Sequence, residues 1–272
     1  MKTVIRKTDK IYVAGHQGMA GSAFLRLLEK RGYENLVYRT HAQLDLTQQS
    51  AVREFFQKEK PDIVIDAAAK TGGIQANSKA MADFFYENMA MEENLIWTSL
   101  QSGVKKFLFL GSACMYPKEC PQPMKEAFVL AGLPEPTNEG YALAKIAGAR
   151  LCSYIYQQYG ADFISVIPAN AYGPGDSFDL ERCHVIPALV RKCYEAKREG
   201  LDKIVLWGSG KPLREFIHID DLADAGLFVL LHYSGEEPVN IGTGEEISIS
   251  GLAEMIREIT ERPLSPQQSW GE

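Results

Sequence analysis

Three glycines, Gly15, Gly18 and Gly21, stand between a short apolar run, Ile11-Tyr-Val-Ala14, and a stretch in which apolar Phe24, Leu25, Leu27 and Leu28 share a helical repeat with polar Arg26, Glu29, Lys30 and Arg31. An apolar run that stops at glycine reads as a buried parallel strand, and the stretch after the glycines reads as an amphipathic helix ended by Gly32. Glycine in such a turn allows a sharp reversal and lets a pyrophosphate come close to the free N–H groups at the helix start. Gly15, His16, Gln17, Gly18, Met19, Ala20 and Gly21 are therefore the candidate dinucleotide turn. The plainer alternative is a glycine turn made only for close packing.

The pattern repeats along the chain. Asn35–Tyr38, Ile63–Ala69, Lys106–Leu110 and Phe163–Ile167 read as strands, and Val52–Gln57, Phe84–Ser102 and Asn138–Tyr159 read as helices between them. Strands alternating with helices of this length predict an α/β fold, a Rossmann-type doubly wound parallel sheet. Past about residue 175 the character changes, with Pro187, Pro212 and Pro238 punctuating shorter elements. The expected organisation is a cofactor-binding domain over 1–174 and a smaller C-terminal substrate lobe over 175–272. The lobes interleave, because Phe216–Leu231 reads as one more strand-to-helix unit.

Composition excludes several classes of function. The net charge of −6, with no lysine- or arginine-rich block, argues against nucleic acid or an anionic membrane as partner. No apolar run is long enough to span a bilayer, and the first ten residues lack the apolar stretch of a signal peptide. Five cysteines without regular spacing read as free thiols in a reducing compartment, so the expected location is cytoplasmic and no metal site is expected.

Tyr141 and Lys145 lie four residues apart on a predicted helix and share one face. A lysine ammonium there is expected to lower the phenol's pKa toward neutral, so that Tyr141 passes a proton to or from a substrate oxygen. Ser112, at a strand end, lies some thirty residues before them. Alone, the Tyr–Lys spacing also fits a solvated helix with a buried tyrosine. The second strand ends Tyr38-Arg39-Thr40-His41, without the carboxylate that usually holds a ribose hydroxyl, and its basic end favours NADP. Asp45, which follows a further predicted short strand, is a candidate adenine contact or part of a helix N-cap region.

These residues resemble the extended short-chain dehydrogenase/reductases. Within them, Ala68–Asn77, Leu110–Pro117, Glu135–Lys145, Cys183–Leu189 and Leu206–Phe216 are similar to the GDP-L-fucose synthase family, in order and at family spacing from about Lys10 to Ile256. The resemblance implies an NADPH-dependent 3,5-epimerisation and 4-reduction of GDP-4-keto-6-deoxy-D-mannose. Cys114 is then the candidate base and His184 the candidate acid for epimerisation at the carbons flanking the keto group. A neighbouring cation or helix terminus would help Cys114 ionise. Ser112, Tyr141 and Lys145 serve the reduction. Further cofactor contacts are implied for Leu110, Gly111, Ala113, Pro168, Ala169, Asn170, Ala171 and His184, and GDP-sugar contacts for Lys192, Trp207 and Arg214. A homodimer through the helices at 84–102 and 138–159 is implied as well. Read without the family, Cys114 is a buried structural thiol, His184 a helix-start histidine and Arg214 a surface ion-pair partner.

The chain departs from the family pattern at three places. Gln17 and His41 stand where relatives can carry arginine, leaving Arg39 and His41 to favour NADP. Ala169 replaces a usual threonine. The segment completing the substrate lobe is missing after the helix at Ser250–Thr260, where the chain runs into Glu261–Glu272; this predicts retained cofactor binding and reduced substrate affinity. The alternatives are a related GDP-deoxysugar epimerase/reductase or an inactive nucleotide-binding member. A 4,6-dehydratase is disfavoured, since Ala113-Cys114-Met115 stands where an Asp-Glu pair would be required.

Overall fold

The structure, a computed structural model, describes residues 3–180, 183–201 and 203–260. The tail over 261–272, and the expectation attached to it, lies outside the described residues. Six parallel strands form the main sheet in the order β2-β1-β3-β4-β5-β8: β1 (Ile11–Ala14), β2 (Leu36–Val37), β3 (Ile63–Asp66), β4 (Lys106–Leu110), β5 (Asp162–Pro168) and β8 (Val239–Ile241). The order reverses direction beside β1, as in doubly wound folds, where ligands sit beyond the carboxyl ends of the strands.

Side-chain alternation divides the core in two. Ile11 and Val13, Ile63 and Ile65, Leu108 and Leu110, and Ile164 and Val166 point to the face covered by α1 (Met19–Lys30) and α7 (Ile219–His232). Tyr12, Val64, Phe107, Phe109 and Phe163 point to the opposite face, covered by α2 (Gln49–Glu59), α4 (Met81–Gln101) and α5 (Glu139–Tyr159). The sequence pattern missed one short helix, α3 (Ile74–Lys79), and the further strand expected before Asp45 is a hydrogen-bonded turn. Polar Thr40 and Gln43 make that turn, which no run of apolar residues could have extended into a strand.

The second unit is small. β6 (Asn170–Tyr172) pairs parallel with β7 (Leu213–His218), which pairs antiparallel with β9 (Glu246–Ser248). Two helices, α6 (Val185–Glu199) and α8 (Ile249–Ile259), close over a core of Leu189, Cys193, Leu206, Leu252, Ala253 and Ile256. Between β7 and β9 the chain returns to the main domain, where α7 packs against α1 and β8 extends the main sheet. No described helix is long and apolar enough to cross a membrane.

Candidate active site

The candidate dinucleotide turn lies between β1 and α1. Gly15 has φ +74°, and a Cβ there would sit 2.6 Å from the Ala67 carbonyl oxygen. A Cβ on Gly21 would fall 2.2 Å from the Gly15 oxygen. Both positions require glycine because backbone passes against backbone, whereas Gly18 meets only the Gly15 oxygen at 3.3 Å. The turn therefore brings the start of α1 up to the sheet edge, leaving a concave run of backbone suited to a pyrophosphate. His16 stacks on Tyr38 with ring centroids 4.7 Å apart, and burial lowers its pKa. Its Nδ1 is buried without a partner. Gln17, Met19 and Ala20 complete the turn.

Beyond β2, Arg39 is bound to Glu59 at 2.5 Å and lies over the Phe55 ring. His41 is exposed. Asp45 accepts hydrogen bonds from the Thr47 amide and hydroxyl, and the Thr47 hydroxyl bond leads in holding its carboxyl below the usual range. Arg39 thus already has an anion in Glu59.

The carboxyl ends of β4 and β5 and one face of α5 bring the reactive groups together. Leu110 and Gly111 end β4, and a Cβ on Gly111 would strike Met115 Sδ at 2.8 Å and the Val166 oxygen at 2.9 Å. Ser112 caps a short 3-10 turn, Ala113–Met115, its Oγ accepting from the Cys114 amide at 3.4 Å. The same hydroxyl favours the ionised forms of the Tyr141 and Cys114 side chains beside it. Ser112, Cys114 and Tyr141 are one cluster, joined by Lys145 one turn further along α5.

Two expectations about this cluster are corrected. Tyr141 does not have a depressed pKa: burial pushes the phenol above its ordinary 10, and the Lys145 charge only partly offsets this. Cys114 is likewise pushed up, to about 11, because burial outweighs the Ser112 hydrogen bond and the Lys145 charge. At neutral pH both are protonated. Burial is the leading cause in both, and the location of the ammonium limits how far its charge offsets it. Lys145 Nζ sits 3.1 Å from Glu92 on α4, with both side chains buried, and 6.0 Å from the Tyr141 ring centroid. Glu92, together with Asp66 at the end of β3, is the part of the site that sequence reasoning missed. A carboxylate on the buried face of a helix, at Met91-Glu92-Glu93, was the available signal.

Pro168, Ala169, Asn170 and Ala171 run from β5 into β6, with Asn170 Nδ2 donating to the Glu215 carbonyl at 2.9 Å. His184 is the N-cap residue of α6, is exposed and makes no capping hydrogen bond. Asp176 faces it, and Asp176 Oδ2 is buried without a partner. Gly175, beside Asp176, comes within 3.5 Å of Met19 Cα, measured from a built Cβ. The loop carrying Asp176 therefore bridges the dinucleotide turn and His184. In the small unit, Lys192 Nζ lies 5.0 Å from the Trp207 ring centroid and donates to the Val205 oxygen, while Trp207 is 63% exposed. Arg214 on β7 is exposed and donates to the Leu213 oxygen, with no carboxylate partner among the described residues.

The chain matches the profile described as the NAD dependent epimerase/dehydratase family over residues 11–242. The chain belongs to that family. GDP-L-fucose synthase 1 of Arabidopsis thaliana is 53% identical over 93% of this chain and 78% of its own length. GDP-L-fucose synthase of Escherichia coli (strain K12) is 47% identical over 92% and 81%. A solved GDP-L-fucose synthetase from Naegleria fowleri bound to NADP is 32% identical, with a TM-score of 0.86, over 94% of this chain and 79% of that one. The sequence resemblance and the family therefore agree.

Proposed function

We propose that this protein is an NADP-dependent GDP-L-fucose synthase, converting GDP-4-keto-6-deoxy-D-mannose to GDP-L-fucose by 3,5-epimerisation and 4-reduction. The observation that carries the reading is the gathering of Cys114 and Tyr141 about the Ser112 hydroxyl, in a chain about half identical to named synthases. The family assignment supplies the reaction, and the cluster supplies the groups it needs.

The turn Gly15–Gly21 would hold the cofactor pyrophosphate at the start of α1, and Arg39 and His41 would meet a 2′-phosphate, Arg39 sharing its charge with Glu59. The bound cofactor would supply hydride for C4 of the sugar. Cys114 takes a proton from a carbon flanking the keto group, and His184 returns one from the other face. The keto group makes these hydrogens acidic, and Ser112 steadies the oxygen that becomes enolate. Because Cys114 rests as a thiol with a pKa of about 11 even with the Lys145 charge nearby, its base role needs help from the bound substrate. Tyr141, protonated at rest, then gives its proton to the alkoxide formed at C4. Trp207 offers an exposed aromatic face to the guanine, and Lys192 and Arg214 meet the diphosphate. The homodimer is assigned to the outer faces of α4 and α5, where Phe85, Tyr86, Leu143 and Tyr154 are exposed. Cytoplasm is the proposed location.

The test is incubation of the protein with NADPH and GDP-4-keto-6-deoxy-mannose in deuterated water. Nicotinamide oxidation with deuterium at C3 and C5 of the product supports the synthase. Oxidation without deuterium at those carbons makes it a simple 4-reductase, and cofactor binding without either change overturns the assignment.

A further inference from the structure

We propose that Tyr116 and Asn240 are positioning residues for the epimerisation: their hydrogen bond ties the turn that carries Cys114 to the edge strand β8 and so sets where the thiol stands over the sugar carbons. The proposal rests on the reading of Cys114 as the base.

The turn Ala113–Met115 is held at both ends. At its start, Ser112 Oγ accepts from the Cys114 amide at 3.4 Å and the Ser112 carbonyl accepts from the Met115 amide at 3.0 Å. Buried Met115 folds its sulfur back to the Ser112 amide at 3.4 Å. At its end, the Tyr116 amide donates to the Ala113 carbonyl at 3.2 Å, and the Tyr116 hydroxyl donates to Asn240 Oδ1 at 2.6 Å. Asn240 lies on β8, which is separated from β4 by β5. Neighbouring strands are about 4.8 Å apart, so the link from β4 to β8 spans roughly 10 Å past the carboxyl end of β5.

Asn240 does more than accept that one bond. Its Nδ2 donates to the Met124 carbonyl at 3.1 Å, and its backbone amide donates to Glu126 Oε1 at 2.9 Å. One residue of an edge strand therefore fastens both the exit of the Cys114 turn and the excursion that follows it. The same strand is registered against the segment that enters the candidate cofactor loop, because Asn240 pairs with Ile167 and the Ala169 amide donates to the Ile241 carbonyl at 2.8 Å. Tyr116 is 5% exposed and belongs to the same core as Phe109 and Ile167, so its ring is buried with or without the hydroxyl. What the hydroxyl adds is direction. A hydrogen bond of this kind contributes little net stability, but it selects one placement of the turn's exit, and proton transfer is sensitive to small displacements of the base.

The test compares the parent protein with Tyr116→Phe, Asn240→Ala and the double variant. With GDP-4-keto-6-deoxy-mannose and NADP+ in deuterated water, NMR follows deuterium entering C3 and C5. In both single variants the maximal rate of entry falls about tenfold, while the KM for the sugar nucleotide and the affinity for NADPH hold. The double variant falls no further than Asn240→Ala, since the two residues act through one bond. A second readout needs no substrate: alkylation of Cys114 by iodoacetamide, followed by peptide mass, rises severalfold in Tyr116→Phe, with Cys183 as an unchanged internal reference. A folded Tyr116→Phe protein with parental deuterium entry overturns the proposal, and so does a double variant whose losses multiply. Should Asn240→Ala fail to fold, Tyr116→Phe decides alone. Absence of deuterium entry in the parent would instead overturn the reading of Cys114 as base. Alkylation then decides the bridge, an unmoved Cys114 rate counting against it and a raised one for it.

Discussion

Among the described residues two lysines are buried, at opposite ends of the same sheet, and they are treated differently. Lys106 opens β4 directly beside Asp162, which opens β5. Its ammonium donates to Asp162 at 3.0 Å, to the Tyr233 carbonyl at 2.5 Å and to Ser234 Oγ at 3.3 Å, and Ser234 in turn donates to Asp162 at 2.8 Å. Lys145, at the carboxyl end of the sheet, has one carboxylate at 3.1 Å and otherwise the faces of Phe109 and Tyr141. A buried charge with several partners is fixed in place. One with a single partner, beside a second carboxylate whose oxygen has none, retains the capacity to change what it pairs with. The amino end of the sheet thus holds a structural ion pair, and the carboxyl end holds a reactive one.

Replacing either lysine tests this contrast. Lys145→Met is expected to lower turnover by about 10²–10⁴-fold, the usual contribution of positioned acid–base groups, as measured by NADPH oxidation with the keto-sugar at saturating concentrations. Lys106→Met leaves Asp162 buried beside neutral partners and is expected to cost about 3–5 kcal/mol of stability, read by denaturant unfolding. The folded fraction of that second protein should turn over at the parental rate. Equal losses of turnover in both variants would erase the distinction.

Asp66 offers a sharper test, because its effect depends on pH. Its folded pKa of about 7 lies above the ordinary 3.8, so between those values the unfolded chain loses its proton first. Stability then falls as pH rises from about 4 to about 7 and is flat above, since the folded state binds the extra proton across that window. Asp66→Asn removes the penalty and is expected to stabilise the protein by up to about 4 kcal/mol above pH 7 and by little near pH 4. Thermal unfolding at the two pH values measures this. The same variant deprives Lys145 of its second anion, so added stability should be accompanied by altered turnover. A gain that is equal at both pH values would show Asp66 to be an ordinary core residue.

Legibility in the sequence divided along the same line. The alternation Ile11-Tyr12-Val13-Ala14 and the glycines after it disclose β1, its turn and the two faces of the sheet, because local periodicity and backbone sterics suffice for them. Tyr141 and Lys145 were also legible as a pair, through their helical spacing. The sign of the Tyr141 shift was not, because it is set first by burial of the phenol, which depends on how α5 packs against α4 and the sheet. Asp176 opposite His184 escaped for a similar reason. Its loop is placed by contact with α1, which no pattern within the loop records.

A third lysine extends the comparison to the surface. Lys192 sits 5.0 Å from the Trp207 ring, and that ring is 63% exposed. Such a contact contributes only about 0.5–1 kcal/mol at an exposed site, so it does little for the fold, in contrast to Lys106. Nor does it reach the cluster around Ser112, in contrast to Lys145. What it does is hold an aromatic face open and place a cation at its edge, an arrangement that suits a base next to a phosphate. Trp207→Ala should therefore leave unfolding within about 0.5 kcal/mol of the parent, as for most surface changes. The KM for the sugar nucleotide is expected to rise about tenfold, near 1.4 kcal/mol of binding, with kcat little changed. Steady-state kinetics at several keto-sugar concentrations separates the two constants. A fall in kcat with KM unmoved would place Trp207 in the chemistry, and would mean that the small unit does more than hold the nucleotide.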